Sequence, residues 1–120
     1  MLSGDSIDQL VRVVTRNQNL EKLAMQHNRF GEADLTDFAH AIENHQSMIY
    51  LDISANFVGN LDFQKLYMAV HHKDSKISTF HCRKNKVGGA AIDKVLGLNF
   101  SENLSVIDFS SNKFSEQNSL

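Results

Sequence analysis

The sequence lacks the residues that mark disulfide frameworks, linkers and membrane segments. Its 120 residues include no proline, no tryptophan and a single cysteine, Cys82. One cysteine excludes an internal disulfide framework, and the absence of proline excludes a proline-rich linker between domains. No apolar run reaches the length of a membrane-spanning helix, and the first ten residues lack the continuous apolar segment of a signal peptide. We therefore expect one domain without disulfide bonds and without a membrane span.

The chain also has little net charge. It carries 12 Lys and Arg residues against 14 Asp and Glu residues, which gives a formal net charge of −2 at pH 7. A balance this close to neutrality provides no bulk attraction to nucleic acid or to an anionic membrane. The composition therefore predicts no nucleic-acid partner and no membrane partner.

What the sequence does contain is an internal repeat. An asparagine returns at intervals of 28, 29 and 27 residues, at Asn28, Asn56, Asn85 and Asn112. Apolar residues stand eight, five and three positions before each asparagine and two positions after it, and all sixteen of these slots are filled. A glycine stands three residues after each of the first three asparagines, at Gly31, Gly59 and Gly88. We expect these glycines to serve turns that a Cβ atom would hinder.

The frame of apolar residues and asparagine resembles the leucine-rich repeat, L-x-x-L-x-L-x-x-N-x-L. Its period of about 28 residues, with an apolar helical stretch between frames, is similar to the ribonuclease-inhibitor-like subclass. The resemblance implies an α/β solenoid, a short horseshoe with parallel strands on the concave face and helices on the convex face. Because this subclass is typically intracellular, the resemblance also implies a cytoplasmic location.

The resemblance covers nearly the whole chain as one domain, 1–120. We expect a partial repeat at 1–19 and repeats near 20–47, 48–76, 77–103 and 104–120, the last one truncated. Solenoids normally close both ends with capping units. Neither end offers one, so we expect a fragment of a longer array whose uncapped ends favour self-association.

Each frame predicts a strand, near 20–28, 48–56, 77–85 and 104–112. Side chains alternate along a strand, so the second and third apolar positions of each frame point inward. Cys82 occupies such a position and is expected to be a small core residue, not a reactive thiol. The asparagine carboxamide is suited to bond the backbone of the turn that follows the strand.

Helices are predicted between the frames by apolar residues at helical spacing. The predicted core positions are Ile7, Leu10, Val11 and Val14, then Leu35, Phe38, Ala39 and Ile42, then Leu61, Leu66, Ala69 and Val70, and finally Ala91, Ile92, Val95 and Leu96.

Stacked parallel repeats place equivalent outward positions about 4.8 Å apart, so the exposed columns can be read from the sequence. One row, formed by Asp52, His81 and Asp108, is predicted to place an imidazole between two carboxylates. Beyond it lies a basic edge of Arg29, Arg83, Lys84, Lys86 and Lys113. Tyr50 and Phe57 add aromatic surface of the kind that anchors protein partners. The predicted partner-binding residues are Tyr50, Asp52, His81, Arg83, Lys84 and Asp108. The alternative interpretation of the charged residues is that they only keep an exposed sheet in solution.

Catalytic and metal-binding patterns are weak. Ser54 or Ser110 near His81 and Asp108 would supply the residue types of a hydrolase. An open sheet offers neither an oxyanion hole nor a closed pocket, so we expect no enzyme. The six histidines show no zinc-ligand spacing with cysteine or carboxylate, and no glycine-rich phosphate loop is present. We therefore expect no metal and no cofactor.

The leading functional hypothesis is a non-enzymatic protein–protein interaction module or scaffold that binds through the concave face. Similar repeats occur in ribonuclease inhibitor, innate-immune nucleotide-binding receptors, tropomodulin and the capping-protein/myosin-I linker proteins. They also occur in Ran GTPase-activating proteins, so part of a small-GTPase-activating protein or of an actin-regulatory protein is an alternative. A third hypothesis is a structural spacer beside a neighbouring domain, because the frame itself carries no activity.

Overall fold

Helices and short strands alternate along the chain in a computed structural model that describes residues 4–28, 34–96 and 103–112. Within these ranges the order is α1 (Gly4–Arg16), β1 (Lys22–Ala24), α2 (Thr36–Glu43), β2 (Tyr50–Asp52), α3 (Asn60–Val70), β3 (Thr79–His81), α4 (Gly89–Leu96) and β4 (Val106–Asp108). Each strand has three residues, fewer than the frames predict. None of the helices described here is long and apolar enough to cross a membrane.

The four strands form one parallel sheet in the order β1-β2-β3-β4. The register pairs Leu23 with Leu51, Leu51 with Phe80 and Phe80 with Ile107, so equivalent frame positions lie side by side. Adjacent parallel strands require a crossover connection. Here the three crossovers carry the helices α2, α3 and α4, and helices that are consecutive along the chain contact each other. The predicted mixed α/β architecture with a parallel sheet is confirmed.

The core lies between the sheet and the helix layer. The inward residues of the two central strands are fully buried: Leu51, Ile53, Phe80 and Cys82. Their equivalents on the outer strands are partly buried and pack against the same core: Leu23, Met25, Ile107 and Phe109. The difference follows from position, because within the described residues a central strand has a neighbour on both sides and an outer strand has one.

Helix α3 buries three of its four predicted core residues, Leu66, Ala69 and Val70, but not the first. Leu61, predicted to be in the core, is 66% exposed, whereas Phe63 and Tyr67 are buried. The buried residues of α3 follow the spacing of one helix face, which also includes Leu66 and Val70. At 3.6 residues per turn, Leu61 lies on the opposite side of the helix from Leu66. The prediction for Leu61 is therefore wrong.

The turn after each strand is made by the residue before the asparagine. His27, Ala55, Lys84 and Ser111 all have left-handed backbone conformations, with φ between 55° and 61°. Gly59, in contrast, has φ −94° and ψ −174°, and an added Cβ atom there would meet nothing within 4 Å. The prediction that Gly59 serves a turn closed to other residues is wrong. Each left-handed residue lies three residues after the end of its strand and turns the chain away from the sheet.

Candidate functional site

The asparagines connect neighbouring turns at the carboxyl ends of the strands. The side-chain oxygens of the second, third and fourth asparagines each accept the backbone N–H of the preceding asparagine in the series. The distances are 2.9 Å from Asn28 to Asn56, 2.8 Å from Asn56 to Asn85 and 3.0 Å from Asn85 to Asn112. The last three of these side chains are buried. This series of bonds is called the asparagine ladder below.

The side-chain NH2 groups of the ladder asparagines donate hydrogen bonds to backbone carbonyl oxygens. The Nδ2 of Asn56 donates to the carbonyl oxygens of Ile53 and Ser54 in its own turn, both at 2.9 Å. It also donates to the carbonyl oxygen of Met25, one strand away, at 2.7 Å. Asn112 likewise donates to the carbonyl oxygen of Cys82 at 2.8 Å. Because buried backbone groups need partners, these bonds hold the turns in one conformation.

Cys82 lies beneath the ladder in the core. Burial raises the pKa of its thiol to about 12, and the Nδ2 of Asn85 donates to its sulfur at 3.3 Å. A thiolate is the reactive form of cysteine, so this thiol is unreactive in the folded protein at neutral pH. The structure places Cys82 among the fully buried core residues.

A second set of bonds, which the sequence analysis missed, lies at the opposite end of the strands. The imidazole of His45 is buried; its Nδ1 accepts the N–H groups of Ser47 at 3.1 Å and Met48 at 3.0 Å. Its Nε2 lies 2.8 Å from the carbonyl oxygen of Asn17, to which it donates because Nδ1 is the acceptor. Asn17 and His45 are 28 residues apart, so the repeat spacing was the available signal.

The side chains that face away from the helix layer form the open face of the sheet, carrying Tyr50, Asp52, His81 and Asp108. A depression of about 310 Å³ lies on this face. Its lining residues are Gln26, His27, Tyr50, Asp52, Ser54, Ala55, His81, Arg83 and Lys84. The structure thus brings together five of the six predicted partner-binding residues, and the sixth, Asp108, lies at the border, where it contacts His81 and Arg83.

Asp52 is less accessible than the sequence analysis expects. The residue is only 6% exposed. One carboxylate oxygen accepts the N–H of Ser54 at 2.9 Å, and the other accepts Nε2 of Gln26 at 3.0 Å. The expectation of a freely exposed carboxylate is therefore wrong, because the short side chain bends toward its own turn and toward the neighbouring strand.

The carboxylate beside His81 is that of Asp108. Its Oδ2 lies 3.8 Å from Nδ1 of His81 and 3.5 Å from Nε of Arg83. The N–H of Ser110 donates to its other oxygen at 2.9 Å. Hydrogen bonds from the Ser110 backbone and side chain, followed by the charges of Arg83 and His81, lower the pKa of Asp108. Asp108 is therefore ionised at neutral pH and neutralises part of the basic edge.

Tyr50 has a packing role on the open face, where the sequence analysis expects a free aromatic surface. Its half-buried ring lies 4.6 Å from the ammonium of Lys22 and 5.6 Å from the imidazole of His81. Residues from β1, β2 and β3 thus form a side-chain row across the sheet. Because neighbouring side chains hold the ring on both sides, the ring loses little side-chain entropy when a partner binds its remaining surface.

The basic edge of the open face lies at the turns. Lys84 is exposed and has φ 55°. Phe57 is 43% exposed, and the ammonium of Lys86 lies 4.8 Å from its ring centroid. This edge therefore combines positive charge with exposed aromatic surface.

The serine hydroxyls near His81 are bonded to Arg83. Ser54 Oγ accepts the backbone N–H of Arg83 at 3.0 Å, and Ser110 Oγ accepts its Nε at 2.9 Å. Among the described residues, no group of three or more His, Cys, Asp or Glu side chains is placed to hold a metal ion. What the open face offers is hydrogen-bonding, charged and aromatic contact surface.

No protein-family model and no curated protein matches the chain.

Proposed function

We propose that the chain is a leucine-rich-repeat solenoid of the ribonuclease-inhibitor-like type, and that it is a non-enzymatic module for protein–protein interaction. The open face is the concave face of this solenoid and binds the partner. The parallel register of equivalent frame positions and the asparagine ladder support the repeat assignment. A cytoplasmic location belongs to the same proposal, because the repeat subclass that the chain resembles is typically intracellular.

The convergence of charged and aromatic side chains on one depression carries the functional proposal. Tyr50, His81, Arg83 and Lys84 reach it from two strands and their turns. The depression is shallow and mixes both signs of charge with an aromatic ring, as the contact surfaces of protein complexes do. A small-molecule enzyme site would instead enclose most of its ligand.

The rigidity of the face also favours binding. The ladder fixes the turns, and Asp108 fixes Arg83 beside His81. A surface that is already ordered loses less conformational entropy when a partner binds. The open face is therefore built to bind without rearrangement.

The test is a comparison of open-face and helix-layer variants against a partner captured by photo-crosslinking from position 55 in the depression. Tyr50→Ala and Arg83→Ala are expected to weaken binding at least tenfold, about 1.4 kcal/mol. Met68→Ala and Lys73→Ala, which alter exposed residues away from the open face, serve as matched controls and are expected to leave the affinity unchanged. Urea midpoints of all four variants check that the fold is retained.

Two outcomes would overturn the proposal. Loss of binding in the controls together with normal binding in the open-face variants would move the contact to the helix layer. Faster GTP hydrolysis by a small GTPase in the presence of the chain would contradict the non-enzymatic assignment and support the GTPase-activating alternative.

A further inference from the structure

Phe57 has an exceptional position at the edge of the open face. It directly follows the frame asparagine, and in the other three frames this place is held by a basic residue: Arg29, Lys86 and Lys113. Phe57 is 43% exposed, although Asn56 and Val58 on either side of it are fully buried. An exposed aromatic between two buried residues is directed outward by the backbone and not by chance packing.

The backbone at Phe57 is held in a conformation that large side chains rarely adopt. Its φ is 59°, in the left-handed region. The side-chain oxygen of Asn85 accepts the N–H of Asn56 at 2.8 Å and the N–H of Val58 at 3.0 Å, so it binds both sides of the residue. Such backbone strain persists only where the surroundings impose it, and it concentrates at functional sites.

One lysine lies over the Phe57 ring and a second is exposed in the neighbouring turn, and both charges are available. Lys86 lies with its ammonium 4.8 Å from the ring centroid, and Lys84 is exposed in the neighbouring turn. Within the described ranges, neither lysine forms an ion pair with a carboxylate. The carboxylates of the open face, Asp52 and Asp108, are already engaged by neighbouring side chains and turns. The three residues Phe57, Lys84 and Lys86 are called the turn patch below.

We infer that the turn patch docks an acidic protein segment, whose Asp or Glu carboxylates pair with Lys84 and Lys86 while an apolar side chain packs on Phe57. This inference rests on the proposed function and names the chemistry of the partner that the same face binds. A polynucleotide fits less well, because two lysines neutralise few phosphates and the carboxylates of Asp52 and Asp108 lie on the adjoining surface. Discrete carboxylates on a peptide can be placed to avoid them.

The experiment selects a displayed library of random twelve-residue peptides on the immobilised chain. Selected peptides are expected to be enriched in Asp and Glu and to share an apolar residue. Their affinities, measured by fluorescence polarisation, are expected to fall as NaCl is raised from 50 to 500 mM, because exposed ion pairs are screened. A selection without acidic enrichment, or affinities that do not respond to salt, would overturn the inference.

The variants are chosen to preserve the turns. Phe57→Asn removes the ring, and asparagine tolerates the left-handed conformation. The double variant Lys84→Asn with Lys86→Gln removes both charges, and asparagine is chosen at position 84 because that residue is also left-handed. This double variant is expected to weaken peptide binding at least tenfold. Lys73→Asn with Lys76→Gln removes two exposed lysines between α3 and β3 and is the matched control. Equal affinities in the two double variants would overturn the inference.

The outcome for the turn patch is separable from the outcome for the open face. The selected peptides are titrated into the chain and amide chemical shifts are recorded. Shift changes at Tyr50 and His81, with no loss of peptide affinity in the turn-patch variants, would leave the proposed function standing and refute the turn patch. Shift changes confined to the helix layer would refute both. If the chain binds a twenty-nucleotide oligo-dT strand more tightly than the selected peptides, the inference is overturned and the partner of the turn patch is a nucleic acid.

Discussion

The side-chain oxygen of Asn85 accepts the backbone N–H of Asn56 at 2.8 Å, from one turn to the next. The same oxygen accepts the N–H of Val58 at 3.0 Å, and Nδ2 donates to the carbonyl oxygens of Ile53 and Arg83, each at 3.1 Å. One buried side chain therefore serves four backbone groups in two turns. This carboxamide therefore links the turn that contains Asn56 to the turn that contains Asn85.

Asn85→Ala is expected to lower the free energy of unfolding by roughly 2–5 kcal/mol, because it leaves two buried N–H groups without an acceptor. Asn28→Ala is the matched comparison, since Asn28 is only partly buried and donates within its own turn to Gln26 and Met25. Its expected cost is below about 1.5 kcal/mol. Urea denaturation measures both, and equal costs would contradict a ladder whose strength depends on burial.

Leu66→Ala is expected to cost about 2–5 kcal/mol, because it opens a cavity in the core. Leu61→Ala changes the same residue type in the same helix but at an exposed position, and its expected effect lies within about 0.5 kcal/mol. Thermal or urea unfolding of the pair tests the phase of α3. A large loss of stability for Leu61→Ala would show that Leu61 lies in the core, as the sequence predicts.

His45→Ala is expected to lower the free energy of unfolding by roughly 1–3 kcal/mol. The change removes the acceptor of the buried Met48 N–H and the donor to the carbonyl oxygen of Asn17. His40→Ala, an exposed position on α2, is the control and should change stability by less than about 0.5 kcal/mol. If the two variants unfold at the same urea concentration, the His45 bonds do not contribute as described.

Cys82 should give stability a dependence on alkaline pH. Burial raises the folded pKa of its thiol from 9.0 to about 12, so the stabilisation is fully present below pH 9.0 and is lost as pH rises toward the folded value. Between pH 8 and pH 10 the wild type is expected to lose about 1.4 kcal/mol more than Cys82→Ala. Other titrating groups occur in both proteins and cancel in the comparison. A constant difference between the two proteins across this range would show that the thiol ionises normally.

The architecture was largely predictable because the repeat is regular. Equal spacing of the frames makes Leu51 and Phe80 register partners, and the observed sheet has this pairing. The burial of Leu66, Ala69 and Val70 in α3 was predictable from helical spacing. The choice between Leu61 and Phe63 was not, since both are apolar and only packing against the neighbouring strands and helices selects Phe63. The turn residues were also missed, because a left-handed Ala55 or Lys84 carries no sequence signal comparable to glycine.

The sequence by itself determined which residues share the open face, since side chains alternate along a strand and equivalent positions of a regular repeat must stack. Tyr50, His81 and Asp108 were placed together by that rule alone. Only the tertiary structure decided how each side chain is used on that face. Asp52 bends to Gln26, which is 26 residues away along the chain, and Tyr50 packs between Lys22 and His81. The physical reason is that alternation selects a face, whereas the conformation of a side chain depends on the donors, charges and rings that neighbouring strands bring to it.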